Sequence, residues 1–170
     1  NDQTVQFGSG ENEPTIAAVL EKLPGVVEEV LHTAHMLTTA KPMVPGEYDI
    51  VTDTHMTGLI CHEAFGHGVE MDMFVKDRAL AKDYVGKYVA SPIVNMRDGA
   101  ASTLSAGSYF FDDEGVLAGD TQIIKDGVLV TGISDLTSAL ELGTVPSGNG
   151  RRESSRRKAY ARMTNNFIEP

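Results

Sequence analysis

The most informative segment of this sequence reads His62-Glu63-Ala64-Phe65-Gly66-His67. It follows an apolar lead-in over residues 56–60, and Asp53 or Thr54 has a side chain suited to cap a helix that begins there. The pattern predicts a helix that carries the segment and runs to about residues 66–68, where glycines weaken it. Two histidines and a glutamate therefore share one short helix.

The spacing of the two histidines imposes a condition on that helix. Five residues at about 100° each leave His67 about 140° away from His62, so a regular α-helix would point the two imidazoles apart. They converge only if the turn is widened, as in a π-bulge, or if the helix ends before His67. Gly66 is the residue best able to absorb such a distortion.

The segment resembles the HExxH motif of zinc peptidases with one residue added. With a widened turn, His62 and His67 would each offer a neutral imidazole nitrogen at about 2.0–2.1 Å from zinc. Glu63 would serve as the general base that takes a proton from the attacking water. The alternative is an accidental grouping, because so short a pattern also recurs by chance.

Further metal ligands are harder to assign. A catalytic zinc ion generally has three protein ligands. Cys61 adjoins His62 and points about 100° away from it, so we expect it to pack in the core. His55 lies two helical turns before His62, and a role at the start of the helix is favoured. Glu70 and Asp72 are either carboxylates that orient an imidazole or simply solvated acids.

The N-terminal part of the chain predicts helix. Apolar residues recur at spacings of three and four over residues 16–37, as two short helices or as one helix kinked at Pro24-Gly25. Residues 48–51 have the composition of a strand. We expect residues 1–45 to form a helical lead-in and residues 46–170 to form one region that carries the motif.

The part that follows the motif predicts mainly strands. The clearest signal is a β-hairpin formed by residues 122–124 and 128–130 around Lys125-Asp126-Gly127. An edge or bulged strand is expected over residues 88–96, and a helix capped by Ser134 is expected to end near Leu142. The predicted fold class is α+β, with N-terminal helices and the motif-bearing helix packed on a largely antiparallel sheet.

Charge and composition narrow the classes of function. Carboxylates outnumber Lys and Arg by 24 to 14, and the net charge of −10 disfavours nucleic-acid binding. The loop Arg151–Lys158 is nevertheless basic and could hold an anionic group. Pairing of Arg151 and Arg152 with carboxylates is the favoured alternative. No apolar run is long enough to cross a bilayer. No signal peptide is recognisable, and the single cysteine suits a reducing compartment.

Several separate blocks of the sequence together resemble the TldD/PmbA family, whose members were historically called modulators of DNA gyrase. The resemblance begins at His62–Asp72, which is close to that family's HEAxGHGxExD block. It continues through Asp98-Gly99 and the turn Asp112–Gly115, and it ends with Gly148–Ser154 and Ala161–Asn165. These blocks follow one another in the family's order and are far more specific than the histidine motif alone. Met71 departs from the family pattern, which usually has glycine there.

The resemblance implies a TldD-type subunit, which is a cytoplasmic zinc metallopeptidase that trims unfolded or short peptides. Glu63 would be the catalytic residue, and His62 and His67 would be zinc ligands. Such subunits pair with a TldE/PmbA-like partner, or with a second copy, and act in microcin maturation and antitoxin degradation. The family fold is α+β, and the peptide substrate is thought to lie against a sheet edge.

The family's third zinc ligand is a cysteine far toward the C-terminus, beyond residue 170. We therefore expect this chain to be a fragment with an incomplete zinc site that is inactive or weakly active in isolation. The alternative function, from a different class, is a non-catalytic interaction module that modulates a partner such as DNA gyrase or a toxin–antitoxin system.

Overall fold

The computed structural model describes residues 4–170, and the chain divides between Ile50 and Val51 into two compact units. The predicted division into residues 1–45 and 46–170 stays a prediction. Among residues 4–170, no helix has both the length and the apolarity that a membrane span requires.

The first unit contains one long helix, α1, over Ile16–Leu37. Its N-terminus is capped by Thr15, whose Oγ1 accepts a hydrogen bond from Ala18 N at 3.2 Å. Pro24 lies inside the helix, so the predicted helix is confirmed as a single one. The predicted strand over residues 48–51 is wrong, because within residues 4–170 no neighbouring strand pairs with it.

The second unit begins with helix α2 over Thr54–Ile60. Asp53 is its cap, since its Oδ1 accepts a hydrogen bond from Met56 N at 2.8 Å. The chain continues as a π-helix over Cys61–Gly66 and a 3₁₀ turn over His67–Val69, so the predicted helix is confirmed in its extent. Two further short elements follow that the sequence did not predict. They are helix α3 over Met71–Val75 and a 3₁₀ helix over Leu80–Tyr84.

Four antiparallel strands form the main sheet of the second unit, and two more form a small separate sheet. In chain order they are β1 (Met96–Asp98), β2 (Thr121–Lys125), β3 (Val128–Leu129), β4 (Gly150–Arg151), β5 (Tyr160–Ala161) and β6 (Asn166–Ile168). The main sheet has the order β3-β2-β1-β6, and β4 pairs with β5. The fold class predicted from the sequence is confirmed, although the strands are short.

The predicted hairpin is confirmed as β2 and β3. Asp126 and Gly127 have φ values of 48° and 79°, and two positive φ values in succession suit the tight turn that joins twisted strands. The strand predicted over residues 88–96 is largely wrong, since only Met96 belongs to β1. The backbone N–H groups of Val89 and Ala90 instead donate to Gly127 O, so this segment wraps around the hairpin turn.

Helix α4 spans Leu136–Leu142, and its cap is Asp135 rather than the predicted Ser134. Asp135 Oδ1 accepts a hydrogen bond from Ser138 N at 2.8 Å, and Asp135 N donates to Ser138 Oγ at 3.1 Å. Ser134 is already engaged with Ser147, whose hydroxyl accepts from Ser134 N at 2.7 Å. The contact of Ser134 with Ser147, thirteen residues later in the sequence, therefore leaves Asp135 to cap the helix.

The core of the second unit joins the motif segment to the main sheet. Its fully buried members come from the π-helix, the 3₁₀ turn that follows it, the strands and the segment before α4: Cys61, Val69, Met96, Ile123, Ile124, Leu129 and Ile133. Phe65 and Met163 pack against this cluster. The core therefore supports the motif helix on the side of Cys61 and Phe65, while Glu63 and His67 are exposed.

Candidate metal centre

The π-helix brings the two histidines of the motif together. His67 N–H donates to the carbonyl oxygen of His62, five residues earlier, which is the bond that defines the wider turn. The two imidazole rings lie 4.8 Å apart between centroids, with their planes at 85°. Of the two predicted routes to convergence, the widened turn is the one that the structure confirms.

Gly66 has a different role in this turn from the one predicted. Its φ of −54° and ψ of −53° are ordinary for a right-handed helix, so its conformational freedom is not used. A Cβ at this position would instead collide with Met163 Sδ and lie 2.7 Å from Asn166 Nδ2. Glycine is favoured here because it lets residues 163–166 pack closely against the π-helix.

His62, Glu63 and His67 each offer one potential ligand atom, and these atoms all lie within 4.8 Å of one another. His62 is half-buried, whereas Glu63 and His67 are exposed, so the group faces outward. Two imidazoles bound to one tetrahedral zinc ion hold their nitrogens roughly 3.4 Å apart, which small side-chain rotations would provide. Two neutral nitrogen donors with a carboxylate beside them fit a catalytic zinc site in their chemistry.

Glu70 is a buried carboxylate that contacts His67, the second histidine of the motif. The side chain of this glutamate is 6% exposed, and its Oε1 lies 3.3 Å from His67 Nδ1. Its other oxygen accepts a hydrogen bond from Arg162 Nη1 at 3.0 Å. Burial raises the pKa of Glu70, while the positive charge of Arg162 and the contact with His67 lower it. Glu70 therefore holds His67 through Nδ1, and this contact leaves Nε2 of the same ring unoccupied by Glu70. The interpretation as a solvated acid is wrong.

Asp72 is also buried, but it serves a different partner. Its Oδ2 accepts a hydrogen bond from Lys76 Nζ at 2.7 Å, and its Oδ1 lies 3.7 Å from Arg162 Nη1. Within residues 4–170, Asp72 makes no hydrogen bond to an imidazole and is buried, so neither of the two alternatives given for it, an orienting carboxylate or a solvated acid, holds. It helps instead to place the guanidinium that holds Glu70.

The other candidate ligands do not join the group. Cys61 is fully buried in the core as predicted, and burial raises the pKa of its thiol to about 11. His55 is exposed and borders an open groove with His62 and Glu63. In the described part of the chain, His62, Glu63 and His67 are the only residues that gather as three or more potential ligands. Within residues 4–170, no fourth potential ligand therefore joins these three.

Arg151 and Arg152 begin the basic loop and are tied to one carboxylate. Arg151 Nε lies 3.8 Å from Asp113 Oδ2, and the guanidinium of Arg151 stacks 5.0 Å from the ring centroid of Tyr109. The backbone N–H of Arg152 donates to the same Asp113 oxygen at 2.7 Å. Pairing with a carboxylate is confirmed for the side chain of Arg151, while Arg152 pairs only through its backbone.

Residues 45–170 match the sequence profile of the family described as PmbA/TldA metallopeptidase C-terminal domain. The chain belongs to the PmbA/TldD family. A metalloprotease of Synechocystis is 40% identical over 151 residues, which cover 88% of this chain and 32% of that protein. A zinc metalloprotease TldD homolog of Saccharolobus solfataricus is 32% identical over 126 residues, which cover 74% of this chain and 28% of that protein.

The fold agrees with a solved member of the group. The crystal structure of TldE from Thermococcus kodakarensis superposes with a TM-score of 0.66 at 23% identity, over 87% of this chain and 34% of that one. The chain thus spans about a third of the length of the relatives it matches. The predicted resemblance to the TldD/PmbA family is confirmed.

A buried polar cluster links the blocks that define the PmbA/TldD resemblance. Asp98 is 1% exposed and accepts hydrogen bonds from Asn149 Nδ2 at 2.7 Å and from Thr164 Oγ1 at 2.9 Å. Burial raises the pKa of Asp98, and the hydrogen bonds from Asn149 and Thr164 oppose that rise.

Sequence reasoning placed Asp98, Asn149 and Thr164 in three blocks but missed that they meet. The available signal was that Asp98 and Asn149 each adjoin glycine, and no such signal marks Thr164. Through this cluster, the end of β1 is hydrogen-bonded to the segments around Asn149 and Thr164 in the PmbA/TldD fold.

Proposed function

We propose that this chain carries the metal-binding and water-activating part of a zinc-dependent peptidase that cleaves unfolded or short peptides. The observation that carries the proposal is the π-helix, which turns His62 and His67 toward one point beside Glu63. A helix with the same residues but regular geometry would separate the two imidazoles. Membership of a metallopeptidase family supports the same conclusion.

Each residue of the group has one role in this proposal. His62 and His67 hold the metal through neutral imidazole nitrogens, and Glu70 keeps the ring of His67 in place. When bound, zinc supplies Lewis-acid polarisation of the peptide carbonyl and lowers the pKa of water. Glu63 takes a proton from the attacking water and returns it to the departing amine. Since Glu63 is exposed, substrate reaches it without a rearrangement of the core.

The third zinc ligand belongs, in this proposal, to a part of the full-length protein outside residues 4–170. The match to only about a third of its relatives' length is consistent with that arrangement. We further propose that the protein acts in the cytoplasm, and that it pairs with a TldE/PmbA-like subunit or with a second copy of itself. By itself, the chain would have little or no activity.

The test compares the full-length protein with its Glu63→Gln variant on a set of short unstructured peptides, with products identified by mass spectrometry. Loss of the general base should reduce hydrolysis about 10²- to 10⁴-fold while zinc content stays the same, because Glu63 is not a zinc ligand. Glu141→Gln removes an exposed carboxylate on α4 and serves as the matched control. Chelation should abolish the activity, and added zinc should restore it.

The alternative is a non-catalytic module that modulates a partner such as DNA gyrase or a toxin–antitoxin system. Such a module would tolerate Glu63→Gln without loss of function. No peptide hydrolysis by the wild-type protein with zinc present would favour this alternative. Equal hydrolysis by the Glu63→Gln and Glu141→Gln variants would instead exclude Glu63 as the general base.

A further inference from the structure

A basic pocket of about 460 Å³ lies in the second unit and has no role in the proposed chemistry. Five cationic side chains and one carboxylate contribute to its wall: Arg151, Arg152, Arg157, Lys158, Arg162 and Glu153. So strong a positive excess is unusual on a chain whose net charge is −10. The pocket therefore concentrates positive potential at one place on an acidic protein.

The basic pocket adjoins the metal-binding segment through two of its residues. Met163 lines the pocket and packs so closely on the π-helix that it excludes a Cβ at Gly66. Arg162 also lines the pocket and donates to Glu70, whose other oxygen lies 3.3 Å from His67 Nδ1. In a molecule bound to Arg162, the bound group would thus be separated from His67, a proposed zinc ligand, by Arg162 and the carboxylate of Glu70.

Two of the cations in the basic pocket are uncompensated. Within residues 4–170, neither Arg152 nor Lys158 forms an ion pair with a carboxylate through its side chain. Lys158 Nζ lies 4.6 Å from the ring centroid of Tyr160, and Lys76 Nζ and the guanidinium of Arg162 approach the same ring at 4.8 and 5.3 Å. Lys76 and Arg162 are paired with Asp72 and Glu70, so Lys158 is the cation beside this ring whose charge is left to attract an added anion.

We propose that the basic pocket binds a carboxylate of the peptide substrate, which is either its C-terminal carboxylate or an Asp or Glu side chain. The inference rests on the proposed peptidase function and adds a substrate preference to it. Arginine suits this ligand because its planar fork matches the two oxygens of a carboxylate. A long polyanion is disfavoured, since the rest of the chain would repel it.

The test measures binding rather than turnover, with the full-length Glu63→Gln protein and one unstructured fluorescent peptide in three forms. These forms are the free acid, the C-terminal amide, and the amide with aspartate as its last residue. At low salt, the free acid, the aspartate form or both should bind about tenfold more tightly than the plain amide, as one partly exposed charge-assisted hydrogen bond allows. Tighter binding of only one form identifies the source of the carboxylate.

Variants of the two uncompensated cations decide whether the pocket is responsible. Arg152→Gln and Lys158→Gln, each added to the Glu63→Gln protein, should reduce the preference to less than about threefold. Lys125→Gln, at an exposed position of β2, should leave it unchanged. Higher salt should also weaken the preference, because the charges are screened beyond roughly 8–10 Å. Circular dichroism would show that each variant is folded.

Three results would overturn the inference. They are equal binding of all three peptide forms, a preference that survives both substitutions, and retention of a single-stranded oligonucleotide without any difference among the peptides. Hydrolysis without a carboxylate preference would remove this inference and leave the proposed function intact. A carboxylate preference without hydrolysis by the wild-type protein would remove the proposed function and show a peptide-binding pocket.

Discussion

Asp98 is a buried acceptor that joins three distant parts of the chain, so its replacement should destabilise the second unit strongly. Its carboxylate accepts from Asn149 Nδ2 at 2.7 Å, from Thr164 Oγ1 at 2.9 Å and from Thr164 N at 3.1 Å. Asp98→Ala leaves these three donors without their acceptor, at about 1–3 kcal/mol each. Allowing for some relaxation, the free energy of unfolding should fall by about 3–6 kcal/mol.

Asp98→Asn separates the loss of charge from the loss of acceptors. The amide oxygen still accepts from Asn149 and Thr164 Oγ1, but the amide nitrogen then faces the backbone N–H of Thr164. The N–H of Thr164 then keeps only its longer bond, to the remaining oxygen at 3.3 Å, so we expect a loss of about 1–3 kcal/mol. Asp120→Asn is the control, because Asp120 lies nearby and is exposed, and it should change stability less than either Asp98 variant.

Urea unfolding of the chain, followed by far-ultraviolet circular dichroism and by the fluorescence of its five tyrosines, measures these differences. The expected order of destabilisation is Asp98→Ala, then Asp98→Asn, then Asp120→Asn. If Asp98→Ala costs no more than Asp120→Asn, the buried cluster does not hold the blocks together. Equal losses of stability for the two Asp98 variants would contradict the expectation that Asp98→Asn keeps hydrogen bonds that Asp98→Ala loses.

Glu70→Gln should weaken zinc binding about 10- to 100-fold, because the glutamine lacks the charge that holds the imidazole of His67. Competition with a chelating dye measures the zinc affinity, and an unchanged affinity would contradict this expectation. Cys61 should react with iodoacetamide far more slowly in the folded chain than in urea, since burial blocks access and a pKa of about 11 leaves about a hundredfold less thiolate at pH 8. Similar reaction rates in the folded chain and in urea would show that Cys61 is not buried. Gly115→Ala should cost about 1 kcal/mol and Gly127→Ala at least about 2 kcal/mol in thermal melts. Both positions have a positive φ, but only at Gly127 would the new Cβ lie 2.6 Å from a backbone oxygen, that of Ala90. Equal losses at the two glycines would show that the contact with Ala90 is unimportant.

The features that the sequence predicted correctly depend on local geometry. Two histidines five positions apart meet only through a widened turn or a helix that ends before the second one, and the structure has the widened turn at Cys61–Gly66. The hairpin turn at Asp126-Gly127 is equally local, because those residue types tolerate the positive φ values required there. The cap of α4 was missed by one residue because Ser134 and Asp135 are both suitable, and a contact to Ser147 decides between them.

The features that were missed or wrong depend on partners far away in the sequence. Residues 48–51 have the composition of a strand, but composition does not supply a neighbouring strand to pair with. The bond from Arg162 to Glu70 joins residues 92 positions apart, and no local pattern indicates it. The same holds for the acceptor role of Asp98. The meeting of the two histidines was therefore predictable from the sequence, while the groups that hold His67 in place required the structure.

The central claim is that His62 and His67 together bind zinc. Elemental analysis of the full-length protein tests it most directly, beside the variants His62→Ala, His67→Ala and His55→Ala. His55 is the matched control because it is exposed and near the site but outside the ligand group. We expect about one zinc ion per chain in the wild-type protein and in His55→Ala, and little or none in the other two. Full zinc content in both His62→Ala and His67→Ala, or none in the wild-type protein, would contradict the claim.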